Sequence, residues 1–244
     1  MAKFMLIGGG NVGRGDTLYE TSTIDKEIVN MSEKEKPNFL FVGIASSFSD
    51  SYFKTIKKIY TDLGCECSYL KKKNIINNPD IVKEKISSAD IIYFCGGDSI
   101  KLYNELLEYK IDKLLEDAVN NNTVIAGMSA GAIVMCKDGY SDSKIIRNES
   151  DKYEFVSGLG FLDISFCPHF DLNGSKAKEL EQDMVNLSKR VLSVPDKCAI
   201  KIIDDTYEIV CEDESIKAYL CYCDKEFITK SLDKSDSISK IVLK

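Results

Sequence analysis

The stretch "TVIAGMSAGA", residues 123–132, changes character halfway along. Its first half is short and apolar and reads as a buried strand; its second half is made of small residues that open a helix. Between them, Gly127-Met128-Ser129-Ala130-Gly131 fits the pattern G-x-S-x-G, placed between strand and helix as that pattern requires. The glycines have a physical reason. A sharp strand-to-helix turn crowds its neighbours, so the positions two before and two after the serine must be small. Such a turn lifts the Ser129 hydroxyl to a helix N-terminus, where the backbone N–H of Ala130 can donate to a developing oxyanion.

Working outward, the first 130 residues alternate short apolar runs with amphipathic stretches. "KFMLIGGG", "NFLFVGIAS", "ECSYL", "DIIYFCGGD" and "TVIAGMSAG" read as strands. "TIDKEIVNM", "YFKTIKKIYTDLG", "NPDIVKEKISSA" and "IKLYNELLEYKIDKLLEDAVNN" read as helices, the last broken near Lys110. Gly64 and Pro79 mark helix ends. This alternation predicts a three-layer α/β fold with a mostly parallel, doubly wound sheet. "KCAIKIID", "YEIVCED" and "SIKAYLCYC" predict an antiparallel C-terminal meander on the edge of that sheet, and the polar tail "TKSLDKSDSISKIVLK" is expected at the periphery. No linker or repeat interrupts the chain, so residues 1–244 are read as a single domain.

Composition narrows the function. The chain has 32 Lys and Arg against 39 Asp and Glu, a net charge of −7, which argues against nucleic acid as the main ligand. No apolar run approaches a membrane span or a signal peptide, so the cytoplasm is the expected location. Nine cysteines, an odd number scattered through apolar segments, favour buried thiols in a reducing compartment over a disulfide framework. Cys65/Cys67 and Cys221/Cys223 form C-x-C pairs, but with one histidine and no C-x-x-C they do not make a metal site. No cofactor or metal is expected.

Ligands of open α/β sheets bind at the carboxyl ends of the strands. Three Gly-rich turns fall there: "IGGGNVGRG", "FCGGDS" and "GMSAGA". The first contains G-x-G-x-x-G as Gly8, Gly10 and Gly13. The polar run "RGDTLYETSTID" follows it instead of a helix, and no acidic residue ends the second strand, so a flexible turn is the better reading than a dinucleotide site. In the second, Gly96 and Gly97 let a backbone N–H face a substrate carbonyl. Asp98 is a candidate substrate-binding residue, with capping of the next helix as its structural role. A serine hydroxyl needs a base to take its proton. The chain has one histidine, His169, beside Pro168 at a strand end, where an active-site imidazole belongs. Of the three arginines, Arg14, Arg147 and Arg190, Arg147 is the candidate anion clamp.

Taken in order, "FCGGD", "GMSAGA", "GYSDS" and "FCPHFD" resemble the dipeptidase E and cyanophycinase family of serine peptidases, whose fold is similar to class I glutamine amidotransferases. The resemblance runs from "LIGGG" to about "AIKIIDD". It implies Ser129 as nucleophile, His169 as general base, and the Gly97 and Ala130 N–H groups as oxyanion hole. For the third triad member it implies an acid near the final strands, Asp204 or Asp205, with Asp204 preferred and Asp142 of "GYSDS" as the rival. The resemblance to the dipeptidase branch implies basic residues, arginine included, after the histidine; here "DLNGSKAKELEQDMV" holds Lys176 and Lys178 and no arginine.

The expected activity is therefore serine-type hydrolysis of small, dipeptide-like substrates. The rival reading is a catalytically idle amidotransferase-like binding protein. A glutaminase is disfavoured because its elbow normally carries cysteine. The expected partner is a small peptide, not nucleic acid or membrane, and a homodimer is left open.

Overall fold

The computed structural model describes residues 1–47, 49–185, 187 and 189–241. The chain runs β1 (Lys3–Ile7), α1 (Ser22–Met31), β2 (Asn38–Val42), α2 (Ser49–Asp62), β3 (Glu66–Leu70), α3 (Lys72–Asn77), α4 (Pro79–Ser87), β4 (Ile91–Phe94), α5 (Ser99–Glu108), α6 (Ile111–Asn120) and β5 (Val124–Met128). It continues through α7 (Ala130–Ile133), β6 (Cys136–Ser141), α8 (Ser143–Ile146), β7 (Glu154–Ser157), β8 (Leu162–Pro168), α9 (Ser175–Met184) and β9 (Arg190–Val194). The last strands are β10 (Cys198–Ile203), β11 (Thr206–Cys211), β12 (Tyr219–Asp224), β13 (Glu226–Ser231) and β14 (Ser235–Ser237).

The predicted α/β sheet is present. An eight-stranded sheet has the order β14-β11-β10-β1-β5-β4-β2-β3. Its five strands from β1 to β3 pair in parallel. Strands β1 and β5 are buried along their whole length, as near-continuous apolar runs in a parallel sheet must be. Each fully buried Leu, Ile or Phe there contributes roughly 1.5–3 kcal/mol relative to exposure. Between α2 and the sheet sits an aromatic cluster, with Phe39 stacked on Tyr60 and Phe53 on Tyr69. The helical run after β4 breaks where expected, with Lys110 in the left-handed region at φ 55° between α5 and α6.

Two expectations need correction. The C-terminal meander is split between sheets: β10 and β11 extend the edge of the large sheet, but β12 pairs with β9 in a second, six-stranded sheet of order β13-β12-β9-β8-β6-β7. Composition could not separate them, because both sets are short apolar strands with tight turns. The helix after Ser129 is also short. After the four residues of α7 the chain becomes β6, which starts that second sheet. The last three residues of the polar tail lie outside the described residues; the rest of it is mostly exposed strand and turn.

Seven cysteines are free thiols, most of them buried. Cys198 and Cys211, directly opposite each other in β10 and β11, are joined as a disulfide, which the composition does not suggest. Among the described residues no helix is long and apolar enough to cross a membrane, and no group of three or more His, Cys, Asp or Glu side chains could hold a metal ion.

Candidate active site

The centre of the large sheet places three strand ends side by side: β1, β5 and β4. Ser129 leaves the end of β5 with φ 53° and ψ −110°, a conformation that costs a non-glycine residue on the order of 1–3 kcal/mol. Its N–H donates to the Ile7 carbonyl at 3.0 Å, and its carbonyl accepts from Ala132 and Ile133, each at 3.0 Å. These bonds hold the strained turn. The flanking glycines are required by close approach. A Cβ at Gly127 would lie 2.2 Å from the Gly131 carbonyl, and one at Gly131 would lie 2.3 Å from the Phe94 oxygen.

His169 follows β8 and is also left-handed, at φ 53°. Its Nε2 lies 2.9 Å from Ser129 Oγ, and its Nδ1 lies 2.6 Å from Asp196 Oδ1. Asp196 sits in the turn between β9 and β10. The His169 hydrogen bond is the main cause holding its carboxyl below the usual range; burial opposes that shift. Both residues are buckled onto the end of β1. The His169 N–H donates to Gly8 O at 3.1 Å, and the Lys197 N–H to Gly9 O at 2.9 Å. Gly9 lies directly beneath the pair: a Cβ there would come within 2.1 Å of Asp196 Oδ1 and 2.3 Å of His169 Nδ1. The first Gly-rich turn thus gives clearance to an imidazole–carboxylate pair. No helix follows it until Ser22.

The three acids singled out in the sequence for the imidazole lie elsewhere. Asp204 follows β10, and its Oδ1 accepts from the Ala2 N–H at 3.0 Å. Because β10 runs antiparallel to β1, pairing Ala199 with Ile7 but Ile203 with Lys3, Asp204 is at the edge of the sheet away from Ser129. Asp205 follows it in the same turn. Asp142 is the N-cap residue of α8, and among the described residues the His169 ring is bonded to Asp196 and Ser129 instead. The residue missed in the sequence is Asp196. The signal available was its place before β10, once β10 is known to be antiparallel.

The "GYSDS" segment has a different job. Ser143 Oγ accepts from the N–H groups of Ser99 at 2.8 Å and Ile100 at 3.3 Å, and Ser141 Oγ bonds Ser99 Oγ at 3.0 Å. Asp98 caps the same helix, accepting from the Lys101 N–H at 3.0 Å. The start of α5, and with it the Gly96-Gly97 turn, is therefore fixed by buried hydroxyls from the end of β6 and the start of α8. Arg147 donates through Nε to Asp98 Oδ2 at 2.6 Å, which makes it a brace for that cap more than a free anion clamp. Arg190 lies over the Tyr222 ring, in the second sheet. Arg14 lies over the Tyr52 ring at 5.3 Å with no carboxylate in ion-pair reach among the described residues, and the Tyr52 hydroxyl meets Met128, next to Ser129.

Gly96 packs against the elbow; a Cβ on it would be 3.5 Å from Ser129 Cβ. Among the described residues the N–H groups of Gly97 and Ala130 have no hydrogen-bond acceptor. An open groove of about 450 Å³ adjoins the imidazole, lined by His169, Phe170, Leu172, Lys217 and Tyr219 among others.

Residues 4–210 match the family model described as peptidase family S51. A Bacillus subtilis (strain 168) protein described as the uncharacterized peptidase YgaJ is 29% identical over 225 residues, 90% of this chain and 91% of that protein. A Nostoc sp. (strain PCC 7120) protein named peptidase E is 22% identical over 214 residues, 84% of each chain. Among solved structures, a peptidase from an acI-B1 Actinobacterium superposes with a TM-score of 0.67 at 20% identity, covering 97% of both chains. A putative peptidase E from Listeria monocytogenes EGD-e superposes with a TM-score of 0.60 at 20% identity, covering 96% of this chain and 100% of that one, so both share the fold.

Proposed function

The chain belongs to peptidase family S51 and is a peptidase; from that premise we propose that it is a serine peptidase of small peptides, working through Ser129, His169 and Asp196. The observation that carries this reading is the imidazole seated between the other two, 2.9 Å from the hydroxyl and 2.6 Å from the carboxylate.

Ser129 Oγ attacks the carbonyl carbon of the scissile bond while His169 Nε2 takes its proton. The Asp196 carboxylate accepts from Nδ1–H, which fixes the tautomer and stabilises the imidazolium as it forms. The N–H groups of Gly97 and Ala130 donate to the tetrahedral oxyanion, an effect worth on the order of 3 kcal/mol per donor in related chemistry. His169 then protonates the leaving amine, and water repeats the sequence on the acyl-enzyme. The groove beside His169 is assigned to the carboxyl-terminal part of the peptide, because His169 is the group that protonates the leaving amine. Arg14, which has no carboxylate in ion-pair reach among the described residues and lies over Tyr52, is the cation assigned to an acidic group of the substrate.

A fluorophosphonate probe tests the nucleophile. It is expected to label the protein but not Ser129→Ala. Labelling that persists in that variant, or no labelling of the parent protein, overturns the assignment. The idle binding-protein reading is the weaker one, because a Ser–His contact of 2.9 Å and a strained elbow have no use in simple ligand binding.

A further inference from the structure

Lys176 breaks three ordinary rules at once. It is the second residue of α9, in a first turn where the helix macrodipole disfavours a cation. It is only 6% exposed, although lysine is almost never buried without a counter-charge. Among the described residues no carboxylate lies within ion-pair distance of its ammonium; instead Nζ donates to the Pro168 carbonyl at 2.7 Å and lies 4.9 Å from the centre of the Tyr153 ring. A residue placed against local preference marks a requirement imposed from elsewhere.

The requirement is visible one bond further along. Pro168 precedes His169, and the peptide that joins them leads directly into the left-handed φ of 53°. A buried, charge-assisted hydrogen bond to that carbonyl fixes the peptide plane. The plane in turn sets the direction of the His169 side chain. The same positive charge acts in a minor way on Asp196, adding to the lowering that its bond to His169 causes.

We propose that Lys176 is a positioning residue for the His169–Asp196 pair: its ammonium holds the Pro168 carbonyl and so locks the turn that aims the imidazole at Ser129. The role rests on the reading of Ser129 and His169 given above. The task is to bond one buried carbonyl, which a compact ammonium does well.

The test uses the fact that His169 is the only histidine in the chain, so its ring nitrogens and Nδ1 proton give unambiguous NMR signals. In Lys176→Met, kcat is expected to fall about 10- to 100-fold with KM within about two-fold, as misaligned catalytic groups do. The downfield Nδ1 proton of the bond to Asp196 weakens in parallel. Lys176→Arg is expected to restore most of both. Unchanged kcat and unchanged ring signals, with only Tm lowered, overturn the proposal. Should Lys176→Met not fold, Lys176→Gln is measured in the same way, and unchanged signals there overturn it too. Ser129→Ala and His169→Ala separate the two readings. If they stay active while the ring signals of Lys176→Met shift, the catalytic reading falls and the positioning role survives.

Discussion

Strand β10 has an aspartate just before it and another just after it, and they have opposite fates. Asp196 holds the imidazole at 2.6 Å, while Asp204 accepts a hydrogen bond from the chain's own second residue. At about 3.3 Å per residue the two are roughly 25 Å apart. Both are carboxylates in short turns, flanked by similar apolar runs. What separates them is strand direction. Every parallel strand brings its carboxyl end to Ser129, but an antiparallel strand brings its amino end, so the acid that serves the site must precede β10.

The largest effect that could break this contrast comes from exchanging each carboxylate for an amide. Asp196→Asn is expected to lower kcat/KM by about 10³- to 10⁴-fold, since the wrong tautomer then faces Ser129. Asp204→Asn keeps an acceptor for Ala2 and should stay within about two-fold. Equal losses in steady-state assays of the two variants would end the distinction. A smaller loss, on the order of 10²-fold, is expected from Gly9→Ala, because a methyl group there collides with both members of the pair and displaces them by an ångström or so. Gly15→Ala, with nothing within 4 Å of the added carbon, is the matched control, with a left-handed φ of 63° whose strain should show in Tm but not in kcat.

The smallest effect concerns a third carboxylate, one that stays out of the chemistry. Asp25 is fully buried and accepts hydroxyl hydrogen bonds from Tyr60 at 2.7 Å, Thr21 at 2.8 Å and Tyr19 at 3.0 Å. Burial is the main cause pushing its carboxyl up to about 6. A folded-state value raised above the unfolded one contributes stability that is fully present below the unfolded value near 4. That contribution is lost as pH rises through about 6. Denaturation at pH 4, 5, 6 and 7 should therefore show a fall with rising pH, on the order of 3 kcal/mol at most, that Asp25→Asn lacks. An identical pH slope in the two proteins would show that Asp25 ionises as freely as in the unfolded chain. Asp196, whose carboxyl is shifted the other way, should lend stability above its unfolded value and lose it as pH falls.

Ser129 and its glycines were readable because everything they need is local. A sharp turn between strand and helix demands small residues two positions either side, and the close approaches at Gly127 and Gly131 are that demand in ångströms. The break at Lys110 and the parallel strands were readable for the same kind of reason, since periodicity and turn residues act over a few positions. The purpose of the first Gly-rich turn was not. Its spacing fits a dinucleotide motif, yet Gly9 is small because of residues 169 and 196, which no local pattern connects to it. Likewise Ser141 and Ser143 flank an acid that looks catalytic, but the serines themselves matter, bonded to the start of a helix more than 40 residues away.

By itself the sequence determined the alternating strands and helices of the first 130 residues, the parallel core of the sheet, the elbow serine and the identity of the one available imidazole, because each follows from side-chain type and short-range spacing. The tertiary structure alone decided which aspartate meets that imidazole, which glycine clears space for the pair, and that Arg147 is tied to Asp98. Those facts depend on strand direction and on which elements of the two sheets meet around α5 and α7, and a carboxylate's sequence position carries no information about either until the strands are paired.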